Sequence, residues 1–155
     1  LYVAMFDTLN SFERTHRGWL VEEAAPDGAD RTAAVNSAAY DVLATLWADS
    51  ANPRVLDSAY EEALAEIPDG AAKDAGLAWG REVAKRIMEE RAKVALQPGN
   101  RDYTSRAPYK WRETPPGFRP PVTPRLGEVD PFVLESSSQF RAPPPLVQGV
   151  VLKAP

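Results

Sequence analysis

At 155 residues, 44% of them hydrophobic, the chain is long enough for one domain with a modest core. A formal net charge of −4 and a pI near 5.1 argue against a general nucleic-acid binder, whose affinity comes mainly from neutralised phosphates. There is no cysteine, which excludes disulfides, thiol catalysis and thiolate metal sites, and no run of about 20 apolar residues that could span a membrane.

The first segment, residues 1–12, places Tyr2, Met5, Phe6 and Leu9 on one apolar helical face. It starts as though already inside a helix, so an upstream piece is expected. A polar loop follows with Gly18, Pro26 and Gly28, and it carries the sole histidine, His16. Asp30 is placed to cap a helix over 31–48, whose apolar residues Val35, Ala38, Ala39, Val42, Leu43, Leu46 and Trp47 recur at three- and four-residue steps. Asn52-Pro53 reads as the next start, with Asn as cap and Pro in the first turn, and Pro68 stops that helix after residue 67. The longest helix spans 70–94. Its stripe contains Gly76 and Gly80, and glycine inside a helix costs about 1 kcal/mol relative to alanine. Standing four residues apart on the stripe itself, these two are expected to let a neighbouring helix approach closely.

After residue 97 the pattern changes, and 12 of the 15 prolines fall within residues 98–155. No alternation there is long enough for a sheet, and the short apolar run 147–152 is ambiguous because Gly149 interrupts it. The expected fold class is therefore all-α: a helical bundle or half-bundle over residues 1–97, followed by a long proline-rich extended strap over 98–155. Lys and Arg number 10 against 17 Asp and Glu in the first part, and 8 against 5 in the second. An acidic body with a slightly basic strap suits solvated faces, mutual attraction or an acidic partner surface. The strap also carries Tyr103, Tyr109, Trp111, Phe118, Phe132 and Phe140, more aromatic surface than a linker needs. Trp111, Phe118, Phe132, Phe140 and Arg141 are the candidate partner-contact residues, and the partner they imply is another protein chain.

Four stretches resemble the N-terminal half of bacterial vanadium-dependent haloperoxidases, which share a fold and active site with type 2 phosphatidic acid phosphatases. They are Ala4-Met5-Phe6-Asp7-Thr8-Leu9-Asn10, the helix from Asp30 through Leu43, the junction Ile67-Pro68-Asp69-Gly70 with Gly76 and Gly80, and the strap. Within the strap the likeness rests on Trp111-Arg112-Glu113-Thr114-Pro115-Pro116-Gly117-Phe118, Val129-Asp130-Pro131-Phe132 and Gln139-Phe140-Arg141-Ala142-Pro143. Glu113 stands where that pattern has proline, and residues 146–155 do not resemble the helix that follows in the family. The resemblance implies a vanadate or phosphate site built from a lysine, two arginines, a serine, a glycine N–H and two histidines. All of these belong to the family's other half, and this chain has no Ser-Gly-His.

No catalytic, cofactor-binding or metal-binding residue is therefore expected here, and no cofactor bound by this chain alone; vanadate belongs to the complete family enzyme. His16 reads as an exposed loop residue, and the pairs Glu61-Glu62 and Glu89-Glu90 read as solvated helix faces. The resulting expectation is a non-catalytic half of a haloperoxidase-like protein, the catalytic half lying on a missing segment or another chain. The alternative is an accessory subunit whose strap clasps an unrelated complex. The resemblance also favours an exported or periplasmic protein.

Overall fold

The computed structural model describes residues 1–49, 53–93, 111–122, 124–142, 146–147 and 150–151. The chain divides into two compact units, Leu1–Lys93 and Val94–Pro155. The first unit is all-α among its described residues, with helices α1 Tyr2–Glu13, α2 Arg31–Leu46, α3 Pro53–Ala65 and α4 Ala71–Lys93.

Local signals account for several of these ends. The Asp30 side chain accepts a bond from the Ala33 N–H at 2.7 Å, so α2 begins with one of its orphan donors satisfied. α1 ends at Arg14 in the left-handed conformation, whose N–H returns to the Asn10 carbonyl. The Asn52 cap lies outside the described residues, as does the Pro98-Gly99-Asn100 stop.

Packing centres on the crossing of α2 and α4, with α1 laid against both and α3 against α2. The seam is built from small residues. Ala33, Ala34, Ser37 and Ala38 of α2 are buried, as are Gly76, Gly80, Val83, Ala84 and Ile87 of α4. A Cβ at Gly76 would stand 2.3 Å from the Asp30 carbonyl oxygen, and one at Gly80 would stand 2.1 Å from that of Ala34. The glycines thus lie where backbone meets backbone, and the Ser37 hydroxyl donates across the same seam to the Leu77 carbonyl at 3.0 Å.

The end of α3 is closed by a residue of α4. Lys73 is only 13% exposed at its side chain. Its ammonium donates to the Leu64 carbonyl at 2.8 Å, the Ile67 carbonyl at 3.1 Å and the Asp69 carboxylate at 2.8 Å, which uses all three protons. Replacing Lys73 with Met is expected to cost about 2 kcal/mol in chemical denaturation, because charged hydrogen bonds to the Leu64 and Ile67 carbonyls disappear. Asp69→Ala is expected to leave the midpoint unchanged, since that carboxylate sits in solvent. Equal effects of the two changes would show that the carbonyl bonds carry nothing.

The second unit's described residues form short turns and a 3-10 turn at Leu126–Glu128. A minimal antiparallel pair joins Leu146–Val147 to Val150–Val151, with Leu146 opposite Val151. The apolar run that the sequence leaves ambiguous thus contributes Val147 to the first strand and Val150 and Val151 to the second.

Candidate functional site

The sequence marks Tyr2, Met5, Phe6 and Leu9 as the apolar face of α1. Three of these four residues do not enter the body, and Met5 is half-buried. Tyr2 is 82% exposed, Phe6 42% and Leu9 41%, whereas Asp7, Thr8, Asn10 and Ser11 are buried with Ala4. The physical reason lies in what the inner face meets. It covers the backbone of the loop between α1 and α2, and backbone N–H groups need acceptors rather than methyl groups.

Asp7 is fully buried and supplies most of them. One carboxylate oxygen accepts the Trp19 N–H at 2.7 Å, and the other accepts those of Leu20 at 2.8 Å and Val21 at 3.0 Å. Gly18 permits the turn, since a Cβ there would stand 2.2 Å from the Val21 carbonyl oxygen. Asn10 holds the same loop upstream, donating to the His16 carbonyl at 2.8 Å and accepting from the His16 N–H at 3.0 Å. Ser11 accepts the Trp79 indole N–H at 2.8 Å, which ties α4 to α1. Among the described residues no buried side-chain nitrogen or oxygen lacks a partner. Sequence patterning does not single out these four polar residues. Their one signal is the helical spacing of positions 7, 8 and 11 ahead of a glycine-containing loop.

Beside this cradle lies a cleft of about 400 Å³, lined in part by Arg14, His16, Arg17, Glu22 and Glu23. Arg17 pairs with Glu22 at 3.1 Å, and Arg86 pairs with Glu23 at 3.1 Å. Glu23 is held below the ordinary carboxylate value by its own backbone N–H first and by Arg86 second. His16 is exposed, with Nδ1 2.9 Å from the Thr15 hydroxyl and its ring edge-on to Phe6 at 6.2 Å. A hydroxyl beside an imidazole is half of a nucleophile–base arrangement. This one is open to solvent, and among the described residues no third group orients the ring and no donors are aimed at an oxyanion.

A second cleft, of about 500 Å³, includes Asp41, Arg81, Lys85 and Met88. Burial raises the Asp41 carboxyl above its ordinary 3.8, and Arg81 opposes the rise. A raised carboxyl favours the protonated folded state. The cost of ionising it enters as pH climbs from 3.8 to the folded value and is complete above that. Asp41→Asn is therefore expected to raise the thermal midpoint at about pH 7 and to leave it unchanged at about pH 3. A midpoint unaffected near neutral pH would remove burial as the dominant influence. Across α2, the Tyr40 phenol donates to Asp57 at 2.9 Å and stacks on Tyr60 at 4.1 Å.

Among the sequence-marked residues, Gly76 and Gly80 sit at the α2–α4 seam. Trp111, Phe118, Phe132, Phe140 and Arg141 all belong to the second unit and are exposed there. Phe118 closes a turn whose N–H returns to the Thr114 carbonyl at 3.0 Å. Tyr103 and Tyr109 lie outside the described residues. Among the described residues no group is gathered that fits a vanadate site: Asp7 and Asn10 are committed to loop backbone, Arg17 pairs with Glu22, and the His16 ring meets Thr15 and Phe6. Among the described residues no three His, Asp or Glu side chains gather as metal ligands, and no helix is long and apolar enough to cross a membrane. Compared with protein families, curated proteins and solved structures, the chain matches none.

Proposed function

We propose that this chain is a non-catalytic helical half of a haloperoxidase-like protein, completed by an oxyanion-binding half on another segment or chain. The observation that carries the reading is the outward apolar stripe of α1 on a helix already fixed from behind. An apolar face that the body cannot bury is a face for something else. The likeness of the helical stretches and the strap names the first companion to look for. In this reading the segment after residue 97 is an extended strap lying on the body or on the partner, with Trp111, Phe118, Phe132, Phe140 and Arg141 as its contacts. Catalysis, and vanadate with it, belongs to the companion. The acidic body speaks against a nucleic-acid partner.

The accessory-subunit reading shares the same exposed faces and is favoured by the aromatic side chains of the strap, of which Phe140 is the most exposed among the described residues. Denaturing mass spectrometry with peptide sequencing on the native assembly separates the two. A companion polypeptide or longer precursor with Ser-Gly-His and Arg/His motifs supports the first, and vanadate-dependent halide oxidation is then expected from the assembly. An unrelated complex supports the second. A solitary 17.0 kDa chain from the native source sinks both.

A further inference from the structure

We propose that Tyr40 and Tyr60 form an oxidative cross-linking site. Two equivalents of a small, diffusible one-electron oxidant join their rings through a carbon–carbon bond, with Asp57 taking the first proton.

Three groups from two helices meet here. Tyr40 of α2 donates its phenol hydrogen to the Asp57 carboxylate of α3 at 2.9 Å. Tyr60 of α3 lays its ring on that of Tyr40, with centroids 4.1 Å apart and planes 12° from parallel. Positions 57 and 60 share one face of α3, because residues three apart on a helix are neighbours. The base and the second ring therefore reach the same phenol together. All three side chains are half-buried, which fixes the rings yet leaves them within reach of a small oxidant.

Packing alone accounts for a stacked pair but not for a base bonded to one of its hydroxyls. The Tyr40 phenol is raised above its ordinary value, first by the Asp57 hydrogen bond and then by burial, so it is protonated at neutral pH. Removing an electron makes that proton strongly acidic, and a carboxylate already holding it lets both leave together.

Tyr40 gives one electron to the first equivalent of oxidant and its proton to Asp57, which passes it to water. Tyr60 gives one electron to the second equivalent and its proton to water. Each neutral phenoxyl radical carries spin density on the carbons ortho to oxygen, and one such carbon from each ring pairs across the stack. Each joined carbon then loses its hydrogen as a proton while its ring oxygen regains one, which restores two phenols. The product is an ortho-linked dityrosine two hydrogens lighter than the pair, and each oxidant equivalent has gained one electron.

The new bond would fasten α3 to α2, the helix it packs against. With no cysteine in the chain, no disulfide can do this. Tyr2 is 82% exposed, and among the described residues no second tyrosine stacks on it. The site needs no companion, so it stands or falls apart from the partner reading.

The test treats the full chain with photogenerated tris(bipyridine)ruthenium(III), persulfate serving as the terminal electron acceptor. Tryptic mapping is expected to find residues 32–54 joined to residues 55–73 within one chain, two hydrogens lighter than their sum and fluorescing as dityrosine. Oxidised tryptophan and methionine gain oxygen instead, so they do not imitate that mass. Tyr60→Phe keeps the stack and is expected to abolish the product. Asp57→Asn keeps an acceptor but removes the base, and is expected to slow the reaction at least ~10-fold with helix content unchanged, Asp57→Glu restoring most of the rate. Treated wild type is expected to unfold at a higher temperature than treated Tyr60→Phe, because the link constrains the unfolded chain as a disulfide does. Dityrosine at Tyr2, Tyr103 or Tyr109 or between two chains, with positions 40 and 60 intact, overturns the proposal, as does undiminished product in Tyr60→Phe. An unchanged rate in Asp57→Asn overturns the role given to Asp57.

Discussion

Replacing Asp7 with Ala is expected to remove about 4 kcal/mol of stability, the largest loss from any single side chain in the helical body. Three loop N–H groups would be left facing a methyl group in a region closed to water. Each buried donor without a partner costs about 1–3 kcal/mol. Small domains hold only about 5–15 kcal/mol in total, so the variant is expected to sit near the edge of folding. Urea denaturation should show the midpoint falling by about 2 M, at a slope of about 2 kcal/mol per molar. Trp19, whose N–H is one of the three, reports the loop directly through its fluorescence. Asp7→Asn keeps the shape but turns an amide N–H₂ toward backbone donors, so it should recover only part of the loss. A cost below about 1 kcal/mol for Asp7→Ala would mean that the loop finds other acceptors and that Asp7 does not fix the direction of α1.

The second large effect is expected at Gly80. In an isolated helix Gly→Ala gains about 1 kcal/mol. Here the new methyl would lie 2.1 Å from the Ala34 carbonyl oxygen and 2.9 Å from the Ser37 Cβ. Carbon atoms rest comfortably at about 3.5–4.0 Å, so α2 would have to withdraw by more than an ångström. The obstacle is backbone, which cannot turn aside as a flexible side chain can. Overpacking costs about 1–3 kcal/mol and more where backbone must move, so it outweighs the propensity gain. A net loss of about 2–3 kcal/mol is expected in thermal or urea unfolding, with the Ser37–Leu77 bond lengthened. Gly76→Ala meets the Asp30 carbonyl at 2.3 Å and should act similarly, and the double variant is not expected to fold. Stabilisation by Gly80→Ala would show that the seam is looser than these distances state.

Both effects bear on function through one element. Asp7 fixes the face that α1 turns inward and so the face it presents outward, while the glycines bring α4 close enough for Trp79 to reach Ser11. If the loop cradle goes, the stripe of Tyr2, Phe6 and Leu9 loses its fixed direction. The Asp7 variant should therefore lose partner association out of proportion to its remaining helix content.

Helix positions are legible because their signals are local. Asp30 caps its own next turn, Pro68 follows the end of α3, and apolar residues recur at the period of a helix. Periodicity carries α2 to residue 48, two past its end at Leu46, because Trp47 extends the apolar pattern yet lies exposed outside the helix. Gly76 and Gly80 are legible as a pair because glycine is costly in a helix unless a neighbour occupies the space.

The direction of α1 is not legible. Periodicity ranks faces by side-chain hydrophobicity, and by that measure the face with Tyr2, Phe6 and Leu9 belongs inside. The competing demand comes from loop residues 12–14 positions beyond Asp7, whose N–H groups carry no sequence signature. For the same reason Asp7 passes as an ordinary helix carboxylate. From its sequence alone, the chain settled that its first part would be built of helices joined by loops, near which residues those helices would start, and that Gly76 and Gly80 would lie where a neighbour comes close, because short-range geometry and steric room decide such things. Only the tertiary structure could decide which side of α1 faces the body, because that choice depends on buried backbone donors brought together by the fold.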